Sequence, residues 1–178
     1  MDGRLNRPGL REKALVTPAT VTEIVRDLSR RTPTAVAVID RGREVTFREL
    51  DILAGRMAAW LERQGLRPGD MAGITVREEL PHLVTSLGLM RLGCNQIGLA
   101  SQDPMAMRAD LAVRIRAAAI IGDRAEDAIE GVGLIIPDHE AIAGDAGLDD
   151  SHIPAPGPEG TTVLLTSSGT TGRPKIVP

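Results

Sequence analysis

Thr166-Ser167-Ser168-Gly169-Thr170-Thr171-Gly172-Arg173-Pro174-Lys175, directly after the apolar run Val163-Leu164-Leu165, is the stretch on which the reading of this chain turns. An apolar run followed by glycines, hydroxyls and a lysine reads as a strand opening into a loop built to hold an anion. Gly169 and Gly172 let main-chain N–H groups approach an anion closely, the hydroxyls add donors, and Lys175 supplies a full positive charge. Lys175 and Lys13 are the only lysines among 21 basic residues; the rest are arginine. A compact ammonium on a flexible stem follows a phosphate that changes geometry, whereas a guanidinium prefers a fixed fork. A lysine falling by chance in a polar loop is the plain alternative. The loop is not a Walker A sequence, because it lacks the Gly-Lys-Ser/Thr ending.

Outward from that loop, strands and helices alternate. Residues 1–19, with Pro8, Gly9 and Pro18, read as an irregular lead-in. A helix starts at Thr20, which forms a capping box with Glu23, and places Val21, Ile24, Val25 and Leu28 on one face. Ala35–Ile39 and Glu44–Val45 are strand-like and joined by a turn at Asp40-Arg41-Gly42-Arg43. Thr46 and Glu49 form a second capping box, with Val45 and Leu50 as a hydrophobic staple, for a helix reaching about Arg63. A strand follows at Met71–Val76, then a helix beginning near Pro81, with Leu83, Leu87 and Met90 on one face and Gly93 as its stop. Further strands are expected at Asn95–Leu99, Ala118–Ile121 and Gly133–Ile136. The helices between them are one capped by Asp103 with Pro104 in its first turn, and a short one over Arg124–Ile129. This alternation predicts an α/β fold, a largely parallel sheet with helices on both faces. Residues 144–160, rich in Gly and Pro, read as a surface linker before the last strand.

The chain has 178 residues, 42% hydrophobic and 25% charged, as an ordinary globular domain does. Its net charge of −3, with no basic stripe interleaved with aromatics, excludes a nucleic-acid surface. No apolar run is long enough to span a bilayer, and the N-terminus lacks the apolar core of a signal peptide. Cys94 is the sole cysteine, so no internal disulfide forms; a cytoplasmic setting and a buried, inert thiol are expected. Residues 1–43 hold nine basic against five acidic residues, while between Arg124 and Arg173 nine acids and no base occur. That asymmetry reads as a solvated acidic face, with an acidic docking patch as the functional alternative. His82, expected in a helix, and His139 and His152, expected in or near loops, show no metal-ligand spacing and are read as structural or solvent-exposed.

The ten-residue loop resembles the signature of the AMP-forming acyl-adenylating superfamily: acyl-CoA synthetases, adenylation domains of nonribosomal peptide synthetases, and luciferases. Val45-Thr46-Phe47-Arg48-Glu49-Leu50, Gly65-Leu66-Arg67-Pro68-Gly69-Asp70 and Met90-Arg91-Leu92-Gly93 resemble upstream segments of that family, in its order. Cys94–Ser101 departs from the aromatic or Pro-rich stretch usual there, and only Phe47 and Trp60 are aromatic, marking a divergent member.

The resemblance implies attack of a small carboxylate on the α-phosphorus of ATP, giving an acyl-adenylate and pyrophosphate. The acyl group then passes to a thiol, with coenzyme A taken as the acceptor over carrier-bound phosphopantetheine. It implies that residues 166–175 bind the nucleotide's phosphates, that Lys175 stabilises the departing pyrophosphate, and that Mg²⁺ rides on the phosphates with no protein metal site. It also implies that residues 20–178 are the N-terminal segment of a larger adenylating domain. The sheet would then be incomplete, and a missing C-terminal part of the same enzyme would be the partner without which this chain is inactive. A stand-alone phosphate- or partner-binding module, and an enzyme nicked in its exposed loop, are the alternatives.

Overall fold

The computed structural model describes residues 20–153, 160–167 and 175–177. Its elements run α1 (Val21–Arg31), β1 (Val36–Asp40), β2 (Arg43–Thr46), α2 (Phe47–Arg63), β3 (Met71–Ile74), α3 (Glu79–Leu92), β4 (Asn95–Gly98), α4 (Met105–Arg114), β5 (Ala119–Ile121), β6 (Gly133–Ile135), α5 (His139–Gly144), β7 (Val163–Ser167) and β8 (Lys175–Val177). β1 and β2 form a separate antiparallel hairpin; the main sheet has the order β6-β5-β3-β4-β7-β8. β6, β5, β3, β4 and β7 are mutually parallel, and only β8 runs antiparallel, against β7. The expected α/β architecture is therefore the observed one.

Alternation of side chains sends each strand's residues to two opposite cores. Ala72 and Ile74 of β3, with Ala119 and Ile121 of β5, join α2 and α3 on one face. Ile97 of β4 and Ile120 of β5 join Leu111 and Ala112 of α4 on the other. α3 lies directly on β3 and β4, α2 packs on α3, and α1 packs on α2. Among the described residues no helix is long and apolar enough to cross a membrane.

Local chemistry accounts for the helix starts. The Thr46 hydroxyl accepts from the Glu49 N–H while the Glu49 carboxylate accepts from the Thr46 N–H at 2.8 Å, and Thr20 and Glu23 repeat the arrangement. Val45 and Leu50 are both buried, as a staple requires. α4 differs from expectation: its N-cap is Pro104 without a side-chain cap, and the Asp103 N–H is drawn into a turn with the Ala100 carbonyl. The helix expected over Arg124–Ile129 shrinks to one 3-10 turn, Ala125–Asp127, because Ala128 leaves the helical region (φ −59°, ψ 131°) and Ile129 pairs with Val132.

Helix faces were less legible. α3 buries Val84, Leu87, Leu89 and Leu92 together, since it is sandwiched between sheet and α2 and needs apolar residues on two sides. α1 is rotated from the expected stripe: Thr22 and Val25 are buried, whereas Val21 and Ile24 are about half exposed. Arg26 explains the rotation, because it turns inward to reach Asp150. Part of the 144–160 stretch contributes to the core through Leu148 and Ile153. A helix absent from the sequence reading, α5, precedes it, capped by Asp138, whose carboxylate accepts from the Ala141 N–H at 3.0 Å.

α2 and α3 approach closely at Gly88, where a β-carbon would lie 2.5 Å from Met57 Cγ and 2.8 Å from Met57 Cβ. Gly88→Ala is expected to destabilise the fold by about 1–3 kcal/mol through overpacking. Urea denaturation reads this directly, and an unchanged midpoint contradicts the close crossing.

Candidate functional site

The anion-loop candidate is a hairpin at the carboxyl edge of the sheet. β7 lies parallel to β4, with Gln96 opposite Val163 and Ile97 opposite Leu164. β8 returns antiparallel, with Leu165 opposite Val177, Thr166 opposite Ile176 and Ser167 opposite Lys175. Thr166 and Ser167 thus end β7 and Lys175 opens β8, so the loop's two ends are main-chain neighbours. Ser168, Gly169, Thr170, Thr171, Gly172, Arg173 and Pro174 lie outside the described residues. Leu164 and Ile176 pack on the α4-side core, and Thr166 is exposed. Two hydrogen bonds fix the approach to β7: Thr162 N–H donates to Asn95 Oδ1 at 2.9 Å, and Gln96 N–H donates to the Thr162 carbonyl at 3.0 Å.

Next to β7, the carboxyl ends of β4 and β3 border an open crevice of about 380 Å³, lined by Thr75, Val76, Arg77, His82, Gly98, Ala100 and Ser101 among others. The connection after β3 runs through α3 on one face of the sheet, and that after β4 through α4 on the other. Their carboxyl ends therefore part, at the kind of position where open parallel sheets take ligands. His82 meets the Val76 carbonyl through Nδ1 at 3.1 Å, which ties the start of α3 to the end of β3.

Beneath the crevice lies an ion cluster that sequence reasoning missed. Asp127 is fully buried. Its two oxygens accept from Nη1 and Nη2 of Arg77 at 2.9 Å each, from Arg108 Nη1 at 3.1 Å and from the Arg124 N–H at 3.2 Å. Asp123 also pairs with the Arg77 guanidinium and accepts from the Arg77 N–H at 2.9 Å. Two guanidiniums thus meet two carboxylates, from the ends of β3 and β5 and from α4. The available sequence signal was Gly122–Asp127 itself, three acids within six residues after a strand of a parallel sheet.

Other candidates fall into structural roles. Cys94 is buried, its thiol pushed up to about 12 by burial and then by Asp70, so it carries no thiolate at neutral pH. His139 opens α5, not a loop; burial lowers its pKa, and its Nε2 has no partner among the described residues. His152 Nε2 lies 2.6 Å from Glu62 Oε2. Among the described residues no group of three or more His, Cys, Asp or Glu could hold a metal ion.

The profile of the family described as AMP-binding enzyme matches residues 25–178. Enterobactin synthase component E of Escherichia coli (strain K12) is 29% identical over 165 residues, covering 81% of this chain and 30% of that protein. The N-terminal subdomain of Klebsiella oxytoca NpsA, in complex with 3-hydroxybenzoyl-AMSN, matches with a TM-score of 0.78 at 24% identity, over 88% of this chain and 40% of that one, a likeness of fold. O-succinylbenzoate coenzyme A synthetase (MenE) from Bacillus subtilis, in complex with AMP, gives 0.75 at 25% identity, over 86% of this chain and 40% of that one. The chain spans between 1% and 30% of the length of the first curated relatives it matches.

The Asp127 cluster sets an acid limit. The Arg77 hydrogen bonds, with those from Arg108, hold this carboxyl at about 2 rather than the usual 3.8, against burial, which pushes it up. A carboxylate depressed on folding contributes stability that is fully present above its unfolded pKa. That stability, on the order of 2 kcal/mol here, is lost as pH falls from about 4 through 2. Asp127→Asn is expected to lower stability at pH 7 by about 3–5 kcal/mol, because Arg108 is left buried without a carboxylate, and to flatten the acid slope. Urea midpoints at pH 7, 4 and 3 read both effects. A variant with the wild-type slope contradicts the assignment.

Proposed function

The chain belongs to the AMP-binding enzyme family, and from that membership we propose that it is the N-terminal part of an ATP-dependent acyl-adenylating ligase, with residues 166–175 as its phosphate-binding loop. The observation that carries this reading is the β7–β8 hairpin. Ser167 stands opposite Lys175 at the carboxyl edge of the parallel strands, which holds the two ends of a glycine- and hydroxyl-rich loop together.

In the proposed reaction a carboxylate oxygen attacks the α-phosphorus of ATP, and the bond to the bridging oxygen breaks, with both electrons leaving on pyrophosphate. Main-chain N–H groups around Gly169–Gly172 and the hydroxyls of Ser168, Thr170 and Thr171 would hold the β- and γ-phosphates, with Thr166, Ser167, Arg173 and Pro174 completing the loop. Lys175 would offset the charge that grows on the leaving group, which is electrostatic stabilisation without proton transfer. Mg²⁺, when bound, supplies further neutralisation on phosphate oxygens and water. A thiol then takes the acyl group and AMP leaves. Coenzyme A and a carrier's phosphopantetheine present the same thiol, and relatives of both kinds exist: peptide synthetases such as phosphinothricin tripeptide synthetase PhsB of Streptomyces viridochromogenes, and MenE. The remaining contacts to the small carboxylate and the nucleotide would come from the rest of the enzyme, in the cytoplasm where ATP and the thiol are found.

Lys175→Ala in the complete adenylating enzyme is expected to slow carboxylate-dependent ATP–pyrophosphate exchange by about 10²–10³-fold, the scale on which loss of one placed charge or donor acts. Circular dichroism should stay unchanged. Wild-type exchange in the variant contradicts the loop assignment. Pyrophosphate binding by a wild-type enzyme that shows no exchange with any carboxylate favours a non-catalytic phosphate-binding module.

A further inference from the structure

The connection from β6 to β7 carries the chain from one edge of the sheet past β5, β3 and β4, over the outer helices. Its stretch from Ala143 to Ile153 is held largely by charge. Arg56 of α2 donates to the Ala143 carbonyl, and Arg63 of α2 donates to the Gly147 carbonyl at 3.0 Å. Glu62 of α2 pairs with His152. Asp150 takes Arg26 of α1 at 2.7 Å and Arg91 of α3 at 3.2 Å on the same oxygen. Two apolar anchors, Leu148 and Ile153, complete the attachment.

Asp150 sits at the meeting point of three helices. Gly55 of α2 leaves room for it: a β-carbon there would lie 3.0 Å from Asp150 Cγ and 3.1 Å from Arg91 Nη1. Arg91 is only 5% exposed, and a buried guanidinium stripped of its partner would normally prevent release. Here it has a resident partner. The Asp51 carboxylate on α2 pairs with Arg91, and the Asp51 carbonyl accepts from Arg91 Nη1 at 2.9 Å. Arg26 has one-third of its side chain in solvent and hydrates readily once freed. Detachment therefore orphans no buried charge.

We propose that residues 143–153, beginning in the last turn of α5, form a latch that opens as a unit while the sheet and α1–α4 stay folded, with Asp150 as its catch. The latch leads into β7, whose approach is otherwise fixed by the pairing of Thr162 with Asn95 and Gln96. Opening it loosens the lead-in to the β7–β8 hairpin. The latch does not rest on the proposed function.

Amide hydrogen exchange on the protein tests this with two variants that act differently. Asp150→Asn removes the charge, whereas Gly55→Ala keeps every charge and fills the space that the catch occupies. Charge-assisted hydrogen bonds of this kind put the expected acceleration at Leu148 and Ile153 at about tenfold to a hundredfold in both variants, with α3, β3 and β5 unchanged. Acceleration of the latch together with α2 and α3 overturns the proposal, as do unchanged rates in both variants. A variant that fails to fold also overturns it, since the core must survive release. β7 amides that stay fully protected while the latch opens overturn the coupling to the hairpin.

Discussion

One buried carboxylate, Asp127, fastens the end of the sheet where the carboxyl ends of the parallel strands gather. Parallel strands must all deliver their chain reversals to opposite sides, so their carboxyl ends stand beside one another without a covalent turn between them. Asp127 closes that gap, binding Arg77 after β3, Arg108 from α4 and the Arg124 N–H after β5. It joins the strand ends to a helix on one face of the sheet, and the position of β3 sets β4, which in turn sets β7. The crevice, which Arg77 lines, thus rests on this cluster.

What the sequence disclosed was local. Both capping boxes lie within four consecutive residues, so Thr20 with Glu23 and Thr46 with Glu49 could be read before any fold was known. The order of most strands and helices followed from periodicity. Long-range choices stayed hidden. Arg77 and Asp127 are fifty positions apart and Arg26 and Asp150 well over a hundred, so nothing local marks them as partners. The rotation of α1 is a consequence of the second pair.

The uneven charge was legible in large part. Basic residues crowd the early chain and acids the later part, which the sequence reading assigned to a solvated face, or else to a docking patch. Among the described late acids Glu126, Glu130, Asp138, Glu140, Asp145 and Asp149 are indeed exposed, and only two turn inward: Asp127 takes Arg77 and Arg108, and Asp150 takes Arg26 and Arg91. The preference for arginine fits, because a planar fork can hold two carboxylates or a carboxylate and a carbonyl at once, as Arg77 and Arg91 do.

The central claim is that the β7–β8 hairpin presents an anion-gripping loop, and its most direct test is a backbone amide NMR titration with Mg²⁺–ATP and, separately, with pyrophosphate. The account predicts that both ligands shift the amides of residues 166–173 and Lys175, with the largest changes at Gly169–Gly172, while β6 and α5 amides stay still. Shifts centred elsewhere, or none in the loop at saturating nucleotide, would contradict it.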